Sequence, residues 1–528
     1  MTITKVVRWS AIAALATLVT LTVAAALASR TEPLRRLVVA TLADRLDSDV
    51  ELRAFSVDAF PRVVVAGQGV KLRLRGQSEG VPPLIEIESF AVHTSLLDML
   101  RRPRRFRHVT LEGLVVNIPP GGLRQQGNPI AAAVKAAGDD RRPSTSDAQG
   151  RAPILIDELV ADGAVLRIIP RLAGKNPKEF AIHTLTMRTL GLAQQMPFTA
   201  TLTNPVPKGQ IETSGTFGPW QKEEPSTTPV AGRYSFMKAD LGSINGIGGI
   251  LDSTGEFSGQ LARIAVKGTT TTPDFQLSTS KQPVPLDTTF EAVVDGTDGD
   301  TYLTRVDAKL GQTSLTANGA VIGTKGVKGR TVNLNVHITD GRIEDVLRLA
   351  VKSEEPMLTG KIVLRTDFHL PPGERDVIER LELEGKFDID DARFAPQVQQ
   401  KLAALSRRAR GLDENEKTGR IATDMSGAFR LRRSALALSN LAFAIPGAVV
   451  QLNGAYGLKS EQIEFDGTLR MDATISQAAG GGVKGFLLKA VDPFFRKKGG
   501  GALVPITVKG TKDDPKFGLD VGRVFKRK

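Results

Sequence analysis

The chain has 528 residues, 52 Gly, 29 Pro, no Cys and a formal net charge of +13 at pH 7. That length is ample for a large buried core, and the lack of Cys excludes disulfides and thiolate metal sites. Aromatics are only 5 % of the residues, and basic stripes interleaved with base-stacking aromatics are missing, so nucleic acid is not an expected partner. The charge reads either as a solvated basic surface or as attraction to anionic lipid head groups.

From Trp9 to Ser29 there are 21 uncharged residues, bracketed by Arg8 and Arg30. As a helix they would span roughly 31 Å, about one hydrocarbon thickness. A cleavable leader has a shorter apolar core, about 7–15 residues. Residues 1–30 are therefore read as an uncleaved single-pass membrane anchor, with cleavage at Ala26-Leu27-Ala28 as the alternative. Basic residues flank both sides, so charge does not set the orientation. Leu34, Leu37, Val38, Leu42 and Leu46 then fall at helical spacing.

From about Val50 onward, period-two alternation dominates. Clear examples are VKLRLR (Val70–Arg75), LIEIE (Leu84–Glu88), VNLNVHI (Val332–Ile338), LELEG (Leu381–Gly385) and VPITV (Val504–Val508). Each puts apolar groups on one face and polar groups on the other. Gly, Asp-Gly and Pro turns divide the chain into roughly two dozen short strands, spaced as antiparallel meanders. We divide it into an N-terminal helix and β region (31–118), an insertion expected to be flexible (119–153), a middle β-repeat region (154–340) and a C-terminal β region with helices (341–528).

Two stretches repeat. VKGTTTTPDFQL (Val266–Leu277) matches VKGTKDDPKFGL (Val508–Leu519), and each copy is read as strand, turn, strand. A weaker echo relates Val109–Pro119 to Leu159–Ile169, with Gly113 and Gly163, Val115 and Val165, and Ile118 and Ile168 in equivalent places.

Two basic segments stand out. RRPRRFRH (Arg101–His108) offers Arg101, Arg102, Arg104 and Arg105 to anionic head groups, at about 1 kcal/mol per basic residue. Its other reading is a solvated loop between a helix over 96–100 and a strand over 109–118. Val483–Phe495 forms an amphipathic stripe ringed by Lys and Arg. Phe486, Leu487, Phe494 and Phe495 suit a membrane surface, and the alternative is a helix plugging the end of the sheet. Two more helices are expected: Ile343–Val351, opened by Asp340 or Gly341, and Val398–Leu412.

Motifs for chemistry are scarce. The five His, at 93, 108, 183, 337 and 369, show no metal-ligand spacing. No G-x-S-x-G or phosphate-loop motif occurs. Asp295, Asp298 and Asp300 read as a hairpin turn, and the pairs Asp390-Asp391 and Asp513-Asp514 as turn formers. Neither an enzyme nor a cofactor is expected.

Both ends of the chain resemble the AsmA-like family of bacterial envelope proteins. At the N-terminal end the likeness rests on the anchor with its helix, AFPRVVVAGQGVKLR (Ala59–Arg73) and HVTLEGLVVNIPP (His108–Pro120). At the C-terminal end it rests on EEPMLTGKIVLRTDFHLPPGE (Glu354–Glu374), LELEGKFDIDDARF (Leu381–Phe394), LAFAIPGAVVQLNGAYGL (Leu441–Leu458), FDGTLRMDATIS (Phe465–Ser476) and VPITVKGTKDDPKFGLD (Val504–Asp520). The family is similar to the larger TamB and YhdP proteins and to bridge-like lipid transfer proteins. The resemblance implies one inner-membrane helix and a periplasmic body, a long curved antiparallel sheet with an apolar groove for lipid tails. It implies transport of phospholipid between the inner and outer membranes and no catalytic residues. Alternation makes Val332, Leu334, Val336 and Ile338 the groove candidates. The rival expectation is an assembly factor that helps outer-membrane proteins insert by pairing strands at an open sheet edge.

Overall fold

The computed structural model describes residues 48–58, 63–74, 82–95, 104–118, 154–168, 178–191, 195–219, 227–296, 299–324, 329–352, 355–410, 423–473, 502–511 and 514–519, with scattered residues between and before these. The anchor, the insertion 119–153, Arg101, Arg102 and the whole Val483–Phe495 segment lie outside the described residues. Of the first expected helix, Glu32, Arg35, Arg36, Val38, Val39, Ala40 and Ala43 are described, and all are helical.

The described residues are mainly β and form one sheet of 25 strands. The first six strands are β1 (Ser48–Asp58), β2 (Val63–Leu74), β3 (Ile85–Thr94), β4 (Arg104–Glu112), β5 (Val115–Ile118) and β6 (Ile154–Ile168). The middle of the sheet starts with β7 (Lys178–Leu190), β8 (Met196–Pro205), β9 (Lys208–Phe217), β10 (Pro229–Asp240), β11 (Ile247–Gly248) and β12 (Ile250–Gln260). It continues with β13 (Arg263–Leu277), β14 (Val284–Val294), β15 (Thr301–Leu310), β16 (Thr313–Gly323) and β17 (Arg330–Arg342). The last part holds β18 (Leu358–Leu370), β19 (Glu382–Phe394), β20 (Thr423–Arg432) and β21 (Ala435–Ile445), then β22 (Ala448–Gly457), β23 (Gln462–Met471), β24 (Ala502–Thr511) and β25 (Pro515–Leu519). Three helices lie between strands: α1 (Ile343–Ala350), α2 (Val377–Arg380) and α3 (Pro396–Arg410).

From β6 onward the main strands pair antiparallel with their sequence neighbours, as the short Gly- and Asp-rich connections require. The exception is a parallel step. β4 and β5 together lie parallel to β6, with Val109 opposite Leu159, Val115 opposite Val165 and Ile118 opposite Ile168. The weak echo in the sequence is thus two neighbouring strands stacked in register. Gly113 and Gly163 both have positive φ, 60° and 65°. Each marks the same kink, in a backbone region that side chains disfavour.

The longer repeat behaves differently in its two copies. Near the C-terminus it is the expected hairpin, β24 turning into β25 with Gly510 opposite Pro515. In the first copy no turn forms, because β13 runs unbroken through Thr271, Thr272 and Pro273. The ladder to β14 shifts register between Thr272 and Phe275, so Pro273, which has no N–H to give, sits in a bulge rather than in the ladder. Asp390 and Asp391 also lie within a strand, at a bulge in β19 where Asp391 has φ 52°. Asp514 does sit in its hairpin turn, and Asp295 and Asp300 close theirs by a 2.8 Å backbone bond.

The helices match in place but not in detail. α1 is preceded by Arg342, with no side-chain cap, rather than by Asp340 or Gly341. α3 directs Leu402 into the core, with Val398 and Leu405 beside it. The basic run also differs from a loop: the strand begins at Arg104, and Arg105 is ion-paired to Asp157 at 2.7 Å.

Candidate functional site

Alternation along each strand gives the sheet two chemically distinct faces. Registers connect the residues of one face into rows that cross the strands. The row through Val336 enters every strand except β5 and β11. It starts at Phe55, Gly67, Phe90, Leu111 and Ala161. It goes on through Leu185, Ala200, Thr213, Tyr234 and Gly255. Next come Gly268, Phe290, Val306, Ala317 and Val336 itself. Thr366, Gly385, Phe429, Leu438, Gly454 and Phe465 carry it to the last strands. No residue in the row is charged.

A second row, two residues away, passes through Leu303, Gly319, Leu334, Phe368, Leu383 and Leu431. Val332 and Ile338 share this face with Leu334 and Val336. Val332, Leu334 and Val336 are half-buried, whereas Ile338 is packed away at 4 % exposure. Between them Asn333, Asn335 and His337 point the other way and are exposed.

Aromatic rings on the apolar face lie across glycines of neighbouring strands. A Cβ at Gly67 would sit 2.5 Å from the Phe90 ring, one at Gly268 2.9 Å from Phe290, and one at Gly454 2.6 Å from Phe465. A side chain at Gly67 would lift the Phe90 ring, and one at Gly268 or Gly454 would press on the ring and also on the partner strand's backbone, at 2.7 Å from Thr254 O and 2.2 Å from Glu464 O, so glycine permits both the close strand approach and the low aromatic surface. Sequence reading missed this arrangement; the available signal was a Gly at the inward parity of an alternating strand. Tyr234 of the row through Val336 meets Ser253 of a flanking row at 3.2 Å, and in that flanking row Thr270 meets Thr288 at 2.5 Å. Among the described residues, no side chain of these rows leaves a buried polar atom without a partner.

The opposite face carries the charge. Lys267 pairs with Glu291 at 2.9 Å, Arg430 with Glu384 at 2.6 Å and Lys509 with Glu464 at 3.0 Å. The hydrogen bond from Arg430 holds the Glu384 carboxyl below its ordinary range. All these pairs are half or more exposed and each is worth little. His108 meets Glu158 at 3.2 Å and lies beside His93, yet among the described residues no group of His, Asp and Glu could hold a metal ion.

Cover on the apolar face changes along the sheet. Around β7–β17 the apolar side chains Leu185, Phe290, Leu303, Val306 and Val336 are half-buried. Past β18 a neighbouring row is closed off, with Met425, Val450, Leu469 and Val504 3–8 % exposed in one cluster with Leu402 and Ala409 of α3, while Phe429 and Leu438 of the row through Val336 stay half-buried. α1 packs on β18 and also reaches β13 and β14. A flat sheet would hold β14 and β18 roughly 19 Å apart, while a helix is about 10–12 Å wide, so the sheet curls around α1. Asp345 anchors that helix, accepting from Gln312 N at 3.0 Å and Thr313 Oγ1 at 2.9 Å. Beside it, α2 places Ile378 and Leu381 over Phe368, Leu383, Leu436 and Tyr456.

Among the described residues no helix is long and apolar enough to cross a membrane. No family model, no curated protein and no solved structure matches the chain.

Proposed function

We propose that the protein holds phospholipid acyl chains along the apolar face of its sheet, as an AsmA-like, membrane-anchored periplasmic carrier moving lipid between inner and outer membranes. The observation that carries this reading is the pair of uncharged rows running from β1 into the last strands. Strands with one apolar face must bury it against another layer or against a ligand. Over β7–β17 Leu185, Phe290, Leu303, Val306, Leu334 and Val336 of that face stay half-buried among the described residues. An aliphatic surface with low aromatic rings, and with no buried polar atom left unpartnered among the described residues of these rows, suits hydrocarbon, at about 0.8 kcal/mol for each methylene taken from water.

Lipid mass spectrometry on the chain lacking residues 1–30 tests this reading. The expected result is phospholipid with the wild type and none with Leu334→Asp or Val336→Asp. A folded wild type free of lipid would overturn it.

One observation favours the strand-pairing reading. The sheet ends on β25, a five-residue strand whose outer edge meets no described neighbour, whereas at the other end Arg35 donates to Leu52 O of β1 at 2.7 Å. Crosslinks from β25 to nascent outer-membrane barrels, rather than lipid on the apolar face, would establish that alternative.

A further inference from the structure

The loop after β10 and the start of α2 meet, although far apart along the chain. Asn245 Nδ2 donates to Glu374 O at 2.7 Å, Val377 N donates to Asn245 O at 2.9 Å, and Ser278 Oγ donates to Asp376 Oδ2 at 2.7 Å. Ser278 follows β13 and Asp376 follows β18. Five strand steps separate them, roughly 24 Å in a flat sheet. They also leave opposite ends of their strands, because an odd number of antiparallel steps lies between. The accumulated twist over those steps, roughly 100–125°, lets opposite ends face each other across the curled sheet.

The contact is closely fitted. Gly246 has φ 102°, and a Cβ there would lie 2.4 Å from Asp376 Oδ1 and 2.5 Å from Val377 N. Asp376 also caps α2, accepting from Ile378 N at 2.9 Å. On its own side of the sheet α2 is held by Ser434, which donates to Ile378 O at 3.3 Å, and by the ion pair of Lys459 with Glu379. One turn of helix is thus tied to both rims.

Its position along the apolar face gives the contact a consequence. In the row through Leu303 and Leu334 these two side chains are half-buried, while Ala292 beside Leu303 is 4 % exposed. At the next strands, Leu431 of the same row is 3 % exposed in a cluster with Ile378 and Leu381, and Phe368, Leu383 and Leu436 pack against that cluster while remaining half-buried. We propose that α2 is a latched lid over the row through Leu303 and Leu334 where it crosses β18–β21, with Asn245, Gly246, Ser278 and Asp376 as the latch. Acyl chains occupy the row up to Leu334, and the patch of Phe368, Leu383 and Leu436 becomes available to them only when the latch opens. This inference rests on the acyl-chain reading above.

The lack of native Cys makes a clean test. Full-length protein is incubated with phosphatidylethanolamine/phosphatidylglycerol vesicles that contain a phosphatidylethanolamine with a diazirine in one acyl chain. Adducts are mapped after illumination. Wild type should carry adducts at Phe290, Leu303 and Leu334 and none at Phe368, Leu383 or Leu436. Gly246→Val, which drives a side chain into the latch, should raise labelling of the covered patch from background by about thirtyfold or more, the factor expected for loss of two or three hydrogen bonds. Ser278→Cys with Asp376→Cys, bridged by a short dithiol-specific linker, should label as wild type does. Reducing the linker off that double variant, whose native Ser278–Asp376 bond is gone, should expose the patch. Equal labelling on both sides of α2 in the bridged protein would overturn the lid. So would a covered patch that stays unlabelled after reduction and in a folded Gly246→Val. A folded wild type without adducts anywhere would overturn the acyl-chain reading and this inference with it.

Discussion

The strands around β7–β17 and those from β20 to β24 have the same alternation, the same glycines under aromatic rings and the same charge on the reverse face, but different cover. In the later strands α3 lies on the aliphatic residues, and Val450, Leu469 and Val504 are 3–5 % exposed. In the earlier ones Leu185, Val306 and Val336 stay half-buried. One binary pattern therefore serves two purposes. Where a described helix lies over it the face becomes core, and where the described residues leave it half-buried it is the surface that the proposed function assigns to a ligand.

Substituting the same charge into both regions breaks the comparison most sharply. Val450→Asp buries a carboxylate without a partner and should cost about 4 kcal/mol or more, read as a large fall in the urea midpoint. Val306→Asp should leave that midpoint nearly unchanged while lipid retention is lost. Equal destabilisation by the two would mean that the middle strands are also core. Next in size, Leu402→Ala removes the main α3 contact and should cost about 2–5 kcal/mol, with no effect on lipid bound at Leu334. Asp345→Ala unties α1 from Gln312 and Thr313 and should cost about 2 kcal/mol. Because α1 stands between the two regions, its loss should also extend lipid labelling toward Ile338. Gly268→Ala presses on Thr254 O, Tyr234 Oη and the Phe290 ring, with a cost of about 1–3 kcal/mol for the forced shift and weaker lipid binding beyond that cost. A rise in binding would mean that the low ring is not needed.

The smallest effects belong to the reverse face. The hydrogen bond from Arg430 depresses the Glu384 carboxyl. Its contribution is therefore present above the ordinary carboxylate range and is lost as pH falls through the depressed value. Lys459 is raised by its bond to Glu379, so that contribution is present below the ordinary lysine range and is lost only as pH rises through the raised value. Both groups are largely solvated, so Glu384→Gln should hardly move the urea midpoint at neutral pH. It should flatten the slight acid sensitivity, and a large shift would mean that the charged face does more than keep the sheet soluble.

Much of this was legible in the residues. Val332, Asn333, Leu334, Asn335, Val336 and His337 have the inward and outward parity that their alternation predicts, because a pleated strand offers no other choice. The echo of Val109–Pro119 in Leu159–Ile169 marked two strands that stack in register, although parallel pairing was not foreseen. Local pattern misled where a strand could absorb an irregularity. Pro273 and the Asp390-Asp391 pair read as turns but sit in bulges, and Arg104 and Arg105 read as loop but continue a ladder. In each case a partner strand far along the chain decided the outcome.

Period, parity and turn residues thus determined by themselves that this protein is a long β sheet with one apolar face. They act within a few residues and need no knowledge of the partner. Which strands pair in parallel, where α1 and α3 cover the face, and that Asn245 meets Glu374 129 residues away were decided only by the tertiary structure. Twist accumulated over many strands brings such residues together, and no local spacing records that sum.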